Sequence, residues 1–493
     1  MSDTPTRSVS RRRFVESVGA ATVVGGLAGC IGEEDPEAEE ELEEAPDDAT
    51  IVQWHGGPGD GDADEVKDAM REALWDAGLD DDIWVAIVDS PETTDEVLDQ
   101  YSTWLGAGQE TPDMLSMDTG WTVPFIERNQ LENLSELLPD ELISEVEDEY
   151  FEASVQAASD LDGNIFGIPE YPDFPSMLYR IDLIEEAGYD PEGEDWVTES
   201  LSWQEFAEIA VDVWEQNDDV EYAYTFQADN YEGLSCCNFN EFMTSWGGAF
   251  FGGRENLFGP VGDRPITVEE EPVLDSIRMI RTFLYGQDDE HALEDFEGDF
   301  VDTNVLGWVE DTSLSPFLGG NAIFHRNWPY AIGLAREELD GEFAVMPIPY
   351  GVTEEEAEAE GTGGSVGALG GWNMAVNPNS EMKDAVVEVI EAAMSEDFMI
   401  ARFQQPELVD IPPKPDVLVS DEARDTEGIG DWVDALESIG ENAIPRPVTR
   451  VWPDQTGPVA SEVHAAYQGD KSPEQAMSDL AETLEAIEQD AAD

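Results

Sequence analysis

Aromatic residues set among Gly, Pro and Asn carry the chemistry most visible in this chain. They occur in Gly167-Ile168-Pro169-Glu170-Tyr171-Pro172-Asp173, in His325-Arg326-Asn327-Trp328-Pro329-Tyr330 and in Gly370-Gly371-Trp372-Asn373. A Trp beside Gly or Pro is poorly placed to point into the core of a regular element. Loop aromatics next to Asp, Asn and Arg suit sugar recognition: the ring covers the C–H face of a pyranose while fixed polar groups satisfy its hydroxyls. Reaction chemistry has no comparable signature. There is no nucleophile elbow, phosphate loop or zinc motif. His55, His291, His325 and His464 are isolated and lack metal-ligand spacing. Carboxylates are so abundant that counting neither picks out nor excludes a glycosidase-like acid/base pair. Cys236 and Cys237 are adjacent, and neighbouring cysteines join only through a strained ring, so no ordinary structural disulfide is expected between them. The expectation is therefore no catalytic residue, no metal and no cofactor.

The elements that must position these segments alternate. Ile51 to Trp54 reads as a strand, and Val66, Met70, Ala73, Leu74 and Ala77 mark one face of a helix. Ile83 to Val88 reads as a buried strand, Val97, Tyr101 and Leu105 as a helix face, and Met114 to Met117 as a short strand. That order predicts a mostly parallel sheet with helical crossovers. Further on, Ser202-Trp203-Gln204-Glu205 is a capping box. Ser472-Pro473-Glu474-Gln475 combines an N-cap, a first-turn Pro and a Gln expected to reach back. A helix after Pro378 should bury Ala385, Val386, Val389, Ile390 and Ala393, and the acidic stretch 353–361 should be exposed.

Charge narrows the partners. The chain has 115 acidic and 21 basic residues, a formal net charge of -94. No basic patch exists to neutralise phosphates, so nucleic acid is excluded as a partner. Disorder is excluded as well, because 41% of residues are hydrophobic and 14 Trp, 20 Phe and 12 Tyr can build large cores. Self-repulsion on this scale is screened only near molar salt, where the Debye length is about 3 Å. Such a composition resembles that of extreme halophiles.

The first thirty residues read as an address. Arg11-Arg12-Arg13 precedes a short apolar run, Val18 to Gly29, which ends at Leu27-Ala28-Gly29-Cys30. Paired arginines before such a run form the twin-arginine export pattern. The run is shorter than the roughly 20 apolar residues needed to span a bilayer. The small-residue site before Cys30 resembles a lipobox of the haloarchaeal lipoprotein type, which predicts a lipid anchor on Cys30. The acidic tract that follows, EEDPEAEEELEEAPDDAT, should be an extended tether.

Several segments, taken in order, resemble the extracellular solute-binding proteins of carbohydrate ABC importers (family 1), closest to the trehalose/maltose-binding branch. Asp162-Gly163-Asn164-Ile165-Phe166-Gly167-Ile168-Pro169 is similar to that family's "DGKxYGIP". Leu178-Tyr179-Arg180-Ile181-Asp182-Leu183 resembles "LYYRxDL", and Ser202-Trp203-Gln204-Glu205-Phe206 resembles "TWDEF". Gly320 to Tyr330 resembles "GxAAMxRNWPYA", and Arg446-Pro447-Val448 resembles "RPV". The prolines of Tyr171-Pro172-Asp173-Phe174-Pro175 depart from the pattern, and so does the Cys236-Cys237 pair, which stands where that branch tends to have one Cys and reads as core packing.

The resemblance implies an α/β, two-lobed periplasmic-binding-protein-like fold, with hinge strands between lobes and a central ligand cleft. An export signal would occupy 1–29 and the anchored tether 30–50. Lobe one would use 51–168 and 364–409, and lobe two 169–363 and 410–493. Trp328 and Trp372 would stack on sugar rings, with Tyr171 a third platform. Asp118 and Trp121 would sit at a strand's carboxyl end, where such sheets bind ligands. Asp173, Glu232 and Arg446 would bond hydroxyls, and His55 and Gly56 would line the cleft. The implied protein is a non-enzymatic monomer, lipid-anchored at the extracellular face of the cell membrane. Its partners would be a sugar, the ABC permease and, through it, a cytoplasmic ATPase. The residues leave open a secreted glycoside hydrolase, or a binding protein for another solute.

Overall fold

A computed structural model describes residues 45–46, 49–60, 64–91, 94–339, 341–357, 361–405 and 408–492. The export signal, Cys30 and nearly all of the acidic tether lie outside the described residues.

Two sheets organise the chain. The first contains β1 (Thr50–His55), β2 (Ile83–Val88), β3 (Met114–Asp118) and β4 (Gly167–Asp173). The second contains β5 (Ser176–Tyr179), β6 (Tyr222–Thr225), β7 (Ala322–Asn327) and β8 (Ala344–Met346). The chain then returns to the first sheet with β9 (Ala368–Val376) and β10 (Ile444–Pro445). The strand order is β10-β9-β3-β1-β2 with β4 also on β9, and β6-β7-β5-β8 in the second sheet.

The expected strands are present, and β1, β2 and β3 pair in parallel through helical crossovers as read, but the return of β9 makes the completed sheet mixed. β1 runs parallel to β2 and β3, whereas β9 runs antiparallel to β3 and β4. The cause is the return path, since β9 arrives from the second sheet instead of through a helical crossover. β4 tolerates Pro169 and Pro172 because, among the described residues, it pairs only with β9 and its register shifts between Pro169 and Tyr171.

Alternation along the strands sorts the cores. Met114, Met374 and Val376 join Met70, Leu74, Val386, Ile390 and Phe398 on one face of the first sheet. Leu115, Met117 and Ala375 join Tyr101, Leu105 and Phe125 on the other. The helices Asp64–Asp76, Thr94–Ala107 and Lys383–Ala393 supply these partners at the expected spacing. In the second sheet, Met177 and Tyr179 face a core with Trp203, Phe206, Phe283 and Phe324, while Leu178 faces Phe174, Phe317 and Ala331.

The capping box at Ser202 forms as read, with both reciprocal hydrogen bonds to Glu205. At Ser472 only half of the expectation holds. Its Oγ accepts from the Gln475 N–H at 3.2 Å, but the Gln475 side chain donates forward to Asp479 at 2.7 Å. The carboxylate one turn on is the better acceptor. Within the acidic stretch, Glu354, Glu355 and Glu356 are exposed, while 358–360 lie outside the described residues.

Cys236 and Cys237 form a disulfide, which corrects their assignment as unbridged core residues. They lie in a widened helical turn, Leu234–Asn238, and are buried with Ala368 and Trp328. Two thiols held side by side in an apolar pocket have each other as nearest partner.

Candidate ligand-binding site

Sheet register assembles the site. Asp118 of β3 and Tyr171 of β4 both stand opposite Trp372 of β9, so a carboxylate, an indole and a phenol align across three strands. Asp173 stands opposite Gly370. The backbone here requires glycine. Gly371 has φ +96°, and a Cβ there would lie 2.3 Å from the Tyr171 carbonyl oxygen. The Gly371 carbonyl accepts from the Thr119 N–H at 3.1 Å, tying the turn after β3 to β9.

Each aromatic has a backing. Trp121 is buried and meets the half-buried Trp372 edge-on, with centroids 5.6 Å apart. Trp328 is also half-buried, and the Arg326 guanidinium lies 4.7 Å from its ring centroid. The Arg402 guanidinium lies 4.9 Å from the Tyr171 ring centroid.

The charges are closely matched. Arg446 reaches Glu232 at 3.3 Å and Asp118 at 3.6 Å, linking the end of β3 to the segment before the widened turn. Gly120 makes room for it, since a Cβ there would fall 2.8 Å from Arg446 Nη1. Arg402 binds Glu170 at 2.8 Å and Asp410 at 2.6 Å. Arg326 is fully buried and held by both carboxylate oxygens of Glu241. Asp173 is pushed up to about 7, first by burial and then by Asp410 and Asp118, with Arg326 opposing.

A cavity of about 340 Å³ is lined by Gly56, Asp60, Ser90, Tyr171, Trp372, Arg402 and Asp410 among others; of the residues expected to bind ligand, Tyr171 and Trp372 line it, while Asp118, Trp121, Asp173, Glu232, Trp328 and Arg446 do not. A larger cavity, of about 590 Å³, lies elsewhere, between Val155, Leu161 and Phe258. None of the aligned residues lines it, whereas Tyr171 and Trp372 line the smaller cavity, which is therefore the better candidate. Gly56 lines that cavity, whereas His55 is buried against Tyr101 and Trp104, its Nδ1 3.0 Å from the Tyr101 hydroxyl.

Arg402, Asp410, Asp60 and Ser90 were not singled out from sequence. Only Arg402 carried a signal. It occupies the buried face of the helix Glu396–Gln404 together with Phe398, Met399 and Phe403, an unusual place for one of so few cations.

Residues 67–400 match the bacterial extracellular solute-binding protein family. The chain belongs to that family. This solute-binding protein is 25% identical, over 74% of its own length and 76% of the relative's, to a probable ABC transporter-binding protein of Deinococcus radiodurans. Among solved structures it resembles T. maritima MalE3 with maltose bound, at TM-score 0.69 and 23% identity, covering 89% of this chain and 99% of the other. It also resembles the GacH receptor of Streptomyces glaucescens, solved unliganded and with acarbose, at TM-score 0.66 and 17% identity, covering 90% and 99%. UgpB of Mycobacterium tuberculosis with glycerophosphocholine gives TM-score 0.65 and 15% identity, covering 90% and 100%. The solute-binding protein thus has the two-lobed α/β fold, and membership places it among extracellular, non-enzymatic binding components.

Proposed function

We propose that this solute-binding protein captures a sugar or oligosaccharide of the trehalose/maltose type between its lobes and delivers it to the permease of an ABC importer. A cytoplasmic ATPase would drive uptake. The observation that carries this reading is the alignment of Asp118, Trp372 and Tyr171 across adjacent strands, beside the half-buried Asp173. Trp372 and Trp328 stack on sugar rings, Tyr171 adds a third platform, and Trp121 backs Trp372. Asp118, Asp173, Glu232 and Arg446 bond hydroxyls. Lobe one uses 51–168 and 364–409, lobe two 169–363 and 410–493, and ligand shifts the population toward the closed form. The protein acts as a monomer, exported by the twin-arginine route and anchored through a lipid on Cys30.

A phosphodiester is the rival ligand, because one structural neighbour was solved with glycerophosphocholine. The arginines argue against it here. Arg446 faces Asp118 and Glu232, Arg402 faces Glu170 and Asp410, and Arg326 faces Glu241. A phosphate would find every one of these positive groups already matched. A neutral polyhydroxyl ligand needs no spare cation.

A thermal-shift screen in molar salt with glucose, trehalose, maltose, maltotetraose and glycerophosphocholine tests the reading. Ligand at 100 times its Kd stabilises the folded state by about 2.7 kcal/mol. A shift with one or more sugars supports the proposal. A shift with glycerophosphocholine alone transfers the site to phosphodiesters, and no sugar shift removes the proposal.

A further inference from the structure

The Cys236–Cys237 disulfide has no role in the site as described so far, yet it touches the site directly. Both cysteines are buried, and their apolar cluster consists of the pair, Ala368 and the half-buried Trp328. The other surroundings of Trp328 are fixed. Arg326 lies over its ring, and Gly370 passes so close that a Cβ there would sit 3.2 Å from Trp328 Cζ3. Of these contacts, the disulfide is the one that chemistry can alter without changing the sequence.

A second route links the pair to the same indole. The turn Leu234–Asn238 leads straight into the helix Phe239–Ser245, which carries Glu241. Glu241 holds Arg326 and also accepts from the Ala368 N–H at 3.3 Å. The cysteines therefore bear on Trp328 by contact, and on the guanidinium above it through the start of this helix. Widened helical turns of this kind often occur at functional sites.

We propose that the Cys236–Cys237 disulfide is a positioning element for Trp328, and that sugar affinity is consequently coupled to its redox state. The inference rests on the sugar-binding reading above. The chemical step is the ordinary two-electron reduction. A dithiol reductant attacks one sulfur, the Sγ–Sγ bond breaks, and the mixed disulfide resolves as the reductant closes into its own cyclic disulfide. Two electrons and two protons end on Cys236 and Cys237 as thiols. Two non-bonded thiols must stand at van der Waals separation, so they need more room than the bonded pair. In a close-packed pocket that room is taken from Ala368 and Trp328.

The test uses the full chain in molar salt. Titrations with glucose, trehalose, maltose and maltotetraose are followed by tryptophan fluorescence before and after dithiothreitol, with reduction confirmed by two additional titratable thiols. The expected result is sugar binding by the oxidised protein, about tenfold weaker binding after reduction, and recovery on reoxidation, the size of loss that a displaced aromatic contact of about 1.4 kcal/mol gives. C236S/C237S should bind as weakly as the reduced protein, which keeps the test open if native packing slows the reductant. In W328A, reduction should change affinity no further, a result that a general structural role for the disulfide would not give. Equal affinity in oxidised protein, reduced protein and C236S/C237S overturns the inference and leaves the sugar reading intact. A disulfide that resists reduction in the native protein overturns the redox coupling. Failure of the oxidised protein to bind any of the sugars overturns both.

Discussion

Asp173 titrates near neutrality because the fold buries it close to Asp410 and Asp118. Its carboxyl has an ordinary value of 3.8 and is pushed up to about 7 in the folded chain. Between those values the native state keeps a proton that the unfolded chain has released. Its stabilising contribution is complete below the lower value and is lost as pH rises through the higher one. Asp173→Asn should therefore raise Tm relative to the parent at pH 8 and leave the difference near zero at pH 4, measured at constant high salt. An equal gain at both pH values would remove the titration from the account. Trp372 tests recognition more directly. Trp372→Ala should weaken sugar binding about tenfold or more, since aromatic anchors dominate such contacts, while the circular dichroism spectrum stays folded. Unchanged affinity would take Trp372 out of the site. Gly, Pro and Asn neighbours drew attention to Tyr171, Trp328 and Trp372 as loop aromatics, but only Trp328 follows a strand end; Tyr171 and Trp372 sit within β4 and β9, where glycine serves the close strand pairing. Asp60 and Ser90 carried no signal, because a lone Asp or Ser gains meaning only when distant strands bring it to a cavity; Arg402 carried one, its place among apolar residues on a helix face, but not what it would face.

At the scale of elements, the bulged junction of β9 with β4 is the part least tolerant of change. Gly371→Ala adds a Cβ 2.3 Å from the Tyr171 carbonyl oxygen at a positive φ. It should cost roughly 1–3 kcal/mol and weaken sugar binding as well, because the same backbone carries Trp372. Loss of stability with affinity untouched would show that the bulge supports the sheet alone. Ser202→Ala, which removes a capping box far from the site, should cost about 1 kcal/mol in denaturant melts without altering affinity. Strands and helices were read closely from apolar periodicity, as Ile83 to Val88 illustrates. The antiparallel placement of β9 was not, because periodicity reports which face is buried and says nothing of strand direction. The pairing of Cys236 with Cys237 was missed for a related reason. Adjacent cysteines ordinarily avoid one another, and only the widened turn and its apolar surroundings reveal the pair.

The whole molecule carries a formal charge of -94, and its exposed carboxylates repel at low ionic strength. Dialysis from molar to millimolar salt should abolish the near-UV circular dichroism spectrum, and an unchanged spectrum would refute that. Interior pairs such as Arg264 and Glu488, 2.6 Å apart and buried, are shielded from salt and should persist longest. The mixed order of the first sheet also sets a timetable for biogenesis. β9 is inserted between β3 and β10 and is the partner of β4, yet it is made only after the whole second sheet. Until residue 376 has left the ribosome, β3 and β4 have no common neighbour and the row Asp118-Trp372-Tyr171 does not exist. A nascent chain of this design stays unfinished through most of its synthesis, and its long-range pairings close late. The ligand row is thus a property of the finished chain, and no shorter nascent piece of it could hold a ligand there.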